Sequence, residues 1–252
     1  MLAKRIIPCL DVKDGKVVKG INFLGLKEVG DAVELGRRYA EQGADELVYL
    51  DISATREGRG TFVSLVRKVA ETLNIPFTVG GGISSLEAAA ALLDEGADKI
   101  TVNSAAIARP ELIGEIATRF GSQFVVVAID ARQCADGLWR ATTHGGTRET
   151  PKELFSWARE AQERGAGEIL FTSMDHDGTA GGYPCGVYAA LNRQLSIPVI
   201  ASGGAGNVAD IAAVLTEGKA DAALAASIFH YGQYTVGQVK SELARQGIAV
   251  RL

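Results

Sequence analysis

The chain has 252 residues, 47% of them hydrophobic and 22% charged, which is ample material for a packed core and excludes an intrinsically disordered chain. A formal charge of −4 without any Lys/Arg cluster excludes a nucleic-acid surface and a basic membrane patch, although a small anionic ligand needs only local positive potential. No run approaches the roughly 18 apolar residues of a membrane span. The apolar stretch of MLAKRIIPCLD stops at Asp11, too early for a signal peptide, so a soluble cytoplasmic protein is expected. Cys9, Cys134 and Cys185 stand far apart without CxxC spacing and the three histidines are scattered, so neither a disulfide framework, a metal nor any other cofactor is expected.

In chain order, RIIPCLD (5–11) is the first strand, with Pro8 a mild objection because it removes one ladder donor. VKDGKVVKGINFLGLKEVG (12–30) is too long for a simple connection and reads as a functional loop or lid. DAVELGRRYAEQG is helical, ELVYLD a strand, FVSLVRKVAETL helical, PFTVG a strand, SLEAAAALLDEG helical and KITVN a strand. PELIGEIATRF leads into FVVVAID; ADGLWRATTHGG reads as a hairpin added after this fifth strand. PKELFSWAREAQERG, EILFTS, GVYAALNRQL, PVIAS, NVADIAAVLTEG, DAALAAS and TVGQVKSELARQG complete the alternation. The helical stretches carry apolar residues at i, i+3, i+4 and i+7. Eight β-branched runs alternating with helices predict an α/β fold, a closed (β/α)8 TIM barrel filling residues 1–252 as one domain. An open doubly wound sheet is the alternative, but no GxGxxG follows the first strand.

The halves repeat at an offset near 120 residues. GADELVYLDIS aligns with GAGEILFTSMD, FTVGGGI with VIASGGAG, GADKITVNSAAI with KADAALAASIF, and IIPCLDVKDG with VVVAIDARQCADG. Two similar half-barrels follow. Glycine turns after strands 3 and 7 (GGGI, and SGGAG from Ser202) and helix starts after strands 4 and 8 (NSAA, AASIF) can each cradle a phosphate with backbone N–H groups, so a ligand with two phosphates is expected. Tight turns alone would explain a single such loop; two at repeat-related positions favour the cradles. Asp11 and Asp130 finish strands 1 and 5, which face each other across the active-site end of a barrel. Opposed carboxylates between two cradles suit general acid/base work, provided local environment separates their protonation. Asp51 ends strand 2 in the same way, and for it a simple turn-capping role is as good an account. Lys19 could meet a phosphate or be solvated surface. Asp177, Gly178 and Thr179, in the polar loop MDHDGTAGGY, could meet phosphate or ribose hydroxyls, and His144 and His176 are loop residues that could touch substrate. His230 belongs to a helix end. At the other end of the barrel Arg5, Glu46, Lys99 and Glu168 begin strands 1, 2, 4 and 6. Two cations and two anions could close into a ring, but spacing alone favours outward, solvated charges.

RIIPCLDVKDGKVVKGINF, DELVYLDISAT, PFTVGGGI, ADKITVNSAA, VVVAIDA, GAGEILFTSMDHDGT, IPVIASGGAG and DAALAASIFH together resemble, over essentially the whole chain, the cyclase subunit family of imidazole glycerol phosphate synthase in histidine biosynthesis. The resemblance implies a lyase acting on a ribonucleotide phosphorylated at both ends, with Asp11 and Asp130 as acid and base. It implies Gly82, Asn103 and Ser104 at one phosphate and Asp177, Gly178, Gly204, Ala226 and Ser227 at the other, with Lys19, Asp51 and Thr172 lining the mouth. It further implies that Arg5, Glu46, Lys99 and Glu168 form a salt-bridged ammonia gate, fed by a separate glutaminase subunit docked near Asp98 in a heterodimer. Three positions depart from the family's habit: His176 stands for Arg, Pro184 for an acidic residue and Pro151 for Gly, which touches loop contacts and hairpin geometry. The rivals are the isomerase of the preceding pathway step, which usually ends strand 2 with DLDGA where this chain has LDISAT, and a catalytically silent allosteric barrel.

Overall fold

The computed structural model describes residues 2–21, 24–52 and 63–252, with the backbone alone at 20, 21 and 24–26. Its strands are β1 (Arg5–Lys13), β2 (Lys16–Ile21), β3 (Leu24–Asp31), β4 (Leu47–Asp51), β5 (Phe77–Gly80), β6 (Lys99–Val102), β7 (Val125–Gln133), β8 (Trp139–Thr143), β9 (Arg148–Glu153), β10 (Glu168–Ser173), β11 (Val199–Ser202) and β12 (Ala222–Ala225). Parallel pairing runs β1-β4-β5-β6-β7-β10-β11-β12 and closes back on β1, with helices between the strands: an eight-stranded (β/α)8 barrel. The eight runs read from the sequence are these eight strands. Pro8 sits where the pairing of β1 passes from β12 to β4, at Pro8↔Ala225 and Cys9↔Val48, and is accommodated there.

Inward residues form three tiers. At the bottom are Arg5, Glu46, Lys99 and Glu168. Two residues further along the strands, on the same face, Ile7, Val48 and Leu170 join Val126, Ile200, Ala222 and Leu224 in an apolar plug. The top tier carries Asp11, Asp130, Thr172 and Ser202; Thr172 pairs in register with both Asp130 and Ser202. The outward faces meet the apolar faces of the helices in a larger core that includes Trp157, Tyr39, Tyr49 and Tyr188. Burying each of these aromatics stabilises the barrel by about 2–3 kcal/mol.

Three expectations are corrected. The segment 12–30 is not a loop. Apart from residues 22 and 23, which lie outside the described residues, it is largely the antiparallel hairpin β2–β3, continuing β1 through Val12↔Val17 and Lys13↔Lys16. Asp11 and Asp130 therefore do not end their strands; β1 and β7 run past the rim into hairpins, β7 through Asp130↔Thr142 with β8. The four charges at the barrel bottom are not solvated either. Arg5 Nη1 lies 2.8 Å from Glu46 Oε1 and 3.0 Å from Glu168 Oε1, and Lys99 Nζ lies 3.1 Å from each glutamate. Strand period places them inward, in phase with the apolar plug.

The ring is braced by a repeated device. Asp45, Asp98 and Asp221 precede β4, β6 and β12, and each accepts a backbone N–H at the start of the preceding barrel strand, from Ile6 (2.8 Å), Phe77 (3.0 Å) and Val199 (3.0 Å). Among the described residues no helix is long and apolar enough to cross a membrane.

Candidate active site

The top of the barrel opens into a cavity of about 730 Å³, lined by most of the residues singled out above for catalysis or substrate binding: Asp11, Lys19, Asp51, Gly82, Asn103, Ser104, Asp130, Thr172, Asp177, Gly178, Ser202, Gly204, Ala226 and Ser227. Asp11 on β1 and Asp130 on β7 stand four strands apart in either direction around the barrel, hence on opposite walls.

Their surroundings differ. The Asp11 side chain is buried and pairs through Oδ2 with Lys19 Nζ at 3.4 Å, while the Cys9 thiol donates toward Oδ1 at 3.7 Å. Lys19, on β2, is not a solvated surface lysine: it is 9% exposed, lines the cavity and faces Asp11. Burial works against its charge, but Asp11 and Asp177 outweigh that and raise the ammonium. Burial and the charge of Asp11 push the Cys9 thiol well up, so it stays an S–H donor. Among the described residues no cation pairs with Asp130. Burial pushes its carboxyl up to about 6 and the charge of Asp177 adds to this, while hydrogen bonds from Thr172 and Asn103 work the other way. The Asn103 bond, from Nδ2 to Oδ2, is 2.9 Å. Asp177 is itself raised by burial, with Lys19 opposing. One wall thus sets its carboxyl against an ammonium, while the other holds a buried carboxyl raised to about 6 with amide and hydroxyl donors beside it.

Beside each carboxylate lies a glycine turn followed by a helix start. After β5, Gly81 (φ +103°) and Gly82 (φ +68°) are left-handed; after β11, so are Gly203 (φ +79°) and Gly204 (φ +139°). A Cβ on Gly81 would run into the Asp51 carbonyl, and one on Gly203 into the Ser173 carbonyl, so glycine is required at both repeat-related positions. Asn103 (φ −132°, ψ −92°) precedes helix Ser104–Ala108 and Ala226 (φ −125°, ψ −69°) precedes helix Ser227–His230, the same backbone shape twice. Ser104 Oγ accepts the His144 N–H at 3.0 Å, leaving its own proton to donate.

His144, on the hairpin side, lines the cavity. His176 does not; its Nδ1 bonds Ser173 Oγ at 2.8 Å and fixes the turn that presents Asp177. Thr179 turns its hydroxyl to the His176 carbonyl at 2.8 Å and is absent from the lining. Pro184 precedes helix Cys185–Gln194. Pro151 lies in β9, where the register with β8 slips between Arg140↔Glu153 and Thr142↔Glu149, so its missing N–H leaves the hairpin intact. His230 ends its short helix, buried, with Nδ1 2.6 Å from the Tyr39 hydroxyl; burial lowers its imidazole to about 4 and keeps it neutral. Sequence reasoning passed over Cys9 as a cavity residue, although its position two before Asp11 puts it on the same strand face. Asp98 is exposed at the opposite end of the barrel. Residues 53–55 of LDISAT lie outside the described residues. Among the described residues no group of three or more His, Cys, Asp or Glu could hold a metal ion.

A family model described as histidine biosynthesis protein matches residues 5–235. The imidazole glycerol phosphate synthase subunit HisF of Bacteroides fragilis is 60% identical over 251 residues, that of Bacteroides thetaiotaomicron 59% over 251, and that of Flavobacterium johnsoniae 57% over 252, each alignment covering 100% of both chains. The chain belongs to the histidine biosynthesis protein family and, within it, to the HisF subunits of imidazole glycerol phosphate synthase.

Proposed function

We propose that Asp11 and Asp130 carry the acid/base chemistry of this chain. The chain is the cyclase subunit of imidazole glycerol phosphate synthase, a lyase of histidine biosynthesis. Its substrate, phosphoribulosyl-formimino-aminoimidazole carboxamide ribonucleotide, reacts with ammonia to give imidazole glycerol phosphate and aminoimidazole carboxamide ribonucleotide. One carboxylate accepts a proton from the incoming nitrogen while the other hands a proton to the departing group. The single observation that carries this reading is a pair of carboxylates on opposite walls of one cavity, each beside a glycine cradle. Two opposed cradles suit a molecule with phosphates at both ends. Gly82 and Ser104 serve one phosphate and Gly204, Ala226 and Ser227 the other, while Asp177, an anion, suits a substrate hydroxyl.

Ammonia reaches the site along the barrel axis in this reading. Arg5, Glu46, Lys99 and Glu168 gate it, and a separate glutaminase subunit docks at the barrel bottom near Asp98 in a heterodimer, in the cytoplasm. An axial apolar plug between ring and site suits a neutral permeant. Purified protein supplied with the bisphosphorylated ribonucleotide and ammonium salt at alkaline pH is expected to consume the substrate without a partner, and Asp11→Asn and Asp130→Asn are each expected to reduce that rate at least about a hundredfold. Persistence of the substrate, together with isomerisation of the preceding pathway intermediate, would overturn the assignment in favour of the isomerase.

A further inference from the structure

The two carboxylates occupy repeat-related positions, and their neighbours can be compared wall against wall. Asp130 is flanked by Asn103, at the end of β6, and by Thr172, its register partner on β10. The residues in the same places around Asp11 are Ala226, after β12, and Leu50, its register partner on β4. Neither side chain can donate a hydrogen bond. One wall therefore carries two donors where the other carries none at the matching places, and there Lys19 and Cys9 face the carboxylate instead.

Asn103 stands before a helix, where an Asn ordinarily caps through its side chain, yet here the side chain makes no capping bond. Its Nδ2 goes to Asp130 Oδ2 at 2.9 Å. Among the described residues its Oδ1 is buried without a hydrogen-bond partner, so none of them besides Asp130 dictates how the amide is turned. An acceptor sealed in the wall offers nothing to a phosphate oxygen, whereas the backbone turn at Gly82 and the Ser104 hydroxyl do. We propose that Asn103 is a positioning residue of the cyclase reaction: its side-chain amide nitrogen orients the Asp130 carboxylate and stabilises its charged form, and the phosphate at that end is held by backbone N–H groups and the Ser104 hydroxyl and not by the Asn103 side chain. This rests on Asp130 being one of the two acid/base groups. Among the described residues, the other ionisable groups facing the cavity are Asp11, Lys19, Asp51, Asp177, Cys9 and His144; of these, Asp177 and Asp11 act on Asp130 by repulsion, and both stay in place when Asn103 is changed.

The test is the pH dependence of kcat/KM for the bisphosphorylated ribonucleotide at constant free ammonia, in the wild type, Asn103→Leu and Asn103→Asp, with folding of each checked by circular dichroism and thermal unfolding. Removing a donor to a carboxylate, or placing a second carboxylate beside it, raises the pH at which Asp130 changes protonation state. The limb governed by Asp130 is expected to move up by about one pH unit in Asn103→Leu and further in Asn103→Asp, whichever of the two roles Asp130 plays. KM should stay within about threefold and kcat should fall about tenfold or more at pH 7. An unmoved limb in both variants with a large rise in KM would make Asn103 a phosphate ligand and overturn the inference alone. If Asp130→Asn keeps substantial activity, the assignment of Asp130 fails first and this inference falls with it.

Discussion

Asp130 works against the fold that holds it. Its carboxyl moves from 3.8 to about 6 on folding, mainly through burial. A raised folded value means that the folded chain binds the proton more tightly than the unfolded chain. The stability this lends is fully present below pH 3.8 and is lost as pH rises through about 6. At neutral pH the charged group is a net cost, of the kind catalytic residues impose. Asp130→Asn is therefore expected to raise urea-unfolding stability at pH 7.5 by about 1–3 kcal/mol, with the gain shrinking toward zero near pH 4, while cyclase activity collapses. Equal or lower stability at pH 7.5 would show that the carboxylate is satisfied as an anion. Glu46 shows the opposite sign. Burial opposes its charge, but Arg5 and Lys99 together outweigh that and hold it below the usual carboxylate range, so its contribution is present above pH 4.5 and is lost as pH falls through its lowered value.

At the scale of elements, the second cradle is tied to the helix behind it. Helix Val208–Thr216 starts with a capping box in which Asn207 Oδ1 accepts the Asp210 N–H at 3.1 Å and Asp210 Oδ2 accepts the Asn207 N–H at 3.0 Å. The same Asp210 oxygen also accepts the Gly206 N–H at 2.9 Å, so the cap fixes the turn that follows Gly204. Its counterpart in the first half, Ser85, accepts only the Ala88 N–H at 3.2 Å among the bonds of helix Leu86–Asp94. Asp210→Ala is expected to cost about 1–2 kcal/mol of stability and to raise KM for the bisphosphorylated substrate severalfold at nearly constant kcat. Ser85→Ala should cost about 0.5–1 kcal/mol and leave KM alone. Equal effects on KM would show that the second cap does not steady its cradle. The elements themselves were legible where their period was clean. FVVVAID and EILFTS lie between well-marked amphipathic helices, and both are strands. The hairpin β2–β3 was not, because KVVKGINFLGLKEVG alternates poorly and β2 and β3 pair with register shifts at Val17/Val18 and Lys19/Ile21. The pairing of Lys19 with Asp11 was hidden with it, because a lysine in a supposed loop gives no sign that strand pairing will turn it onto a carboxylate. The two carboxylates and four cradle segments were visible because each occurs twice. The inward turn of Arg5, Glu46, Lys99 and Glu168 was hidden from spacing because it depends on which strand face closes the barrel, which local sequence does not carry.

Across the whole molecule, ring, apolar plug and site are stacked on one axis, and the ring is the part whose balance is most easily upset. Arg5 and Lys99 each touch both glutamates, and all four side chains are at most 16% exposed. Glu46 spends one oxygen on each cation, whereas both cations meet Oε1 of Glu168, and among the described residues its buried Oε2 has no partner. Burial opposes the charge of Arg5, yet Glu168 and Glu46 outweigh it and raise the guanidinium. Taking either cation away leaves two buried carboxylates sharing the other. Uncompensated buried charge costs about 3–5 kcal/mol, whereas replacing a whole pair by apolar groups is often nearly neutral. Arg5→Met is therefore expected to lose about 3 kcal/mol in urea unfolding at pH 7.5 and to begin acid unfolding at a higher pH than the wild type, because Glu46 no longer has two cations to hold it ionised. Adding Glu168→Leu to Arg5→Met should restore at least half of the lost stability, leaving Lys99 and Glu46 as a simple pair. Additive losses in the double variant would mean that the ring is held by packing around each side chain and not by its charge balance.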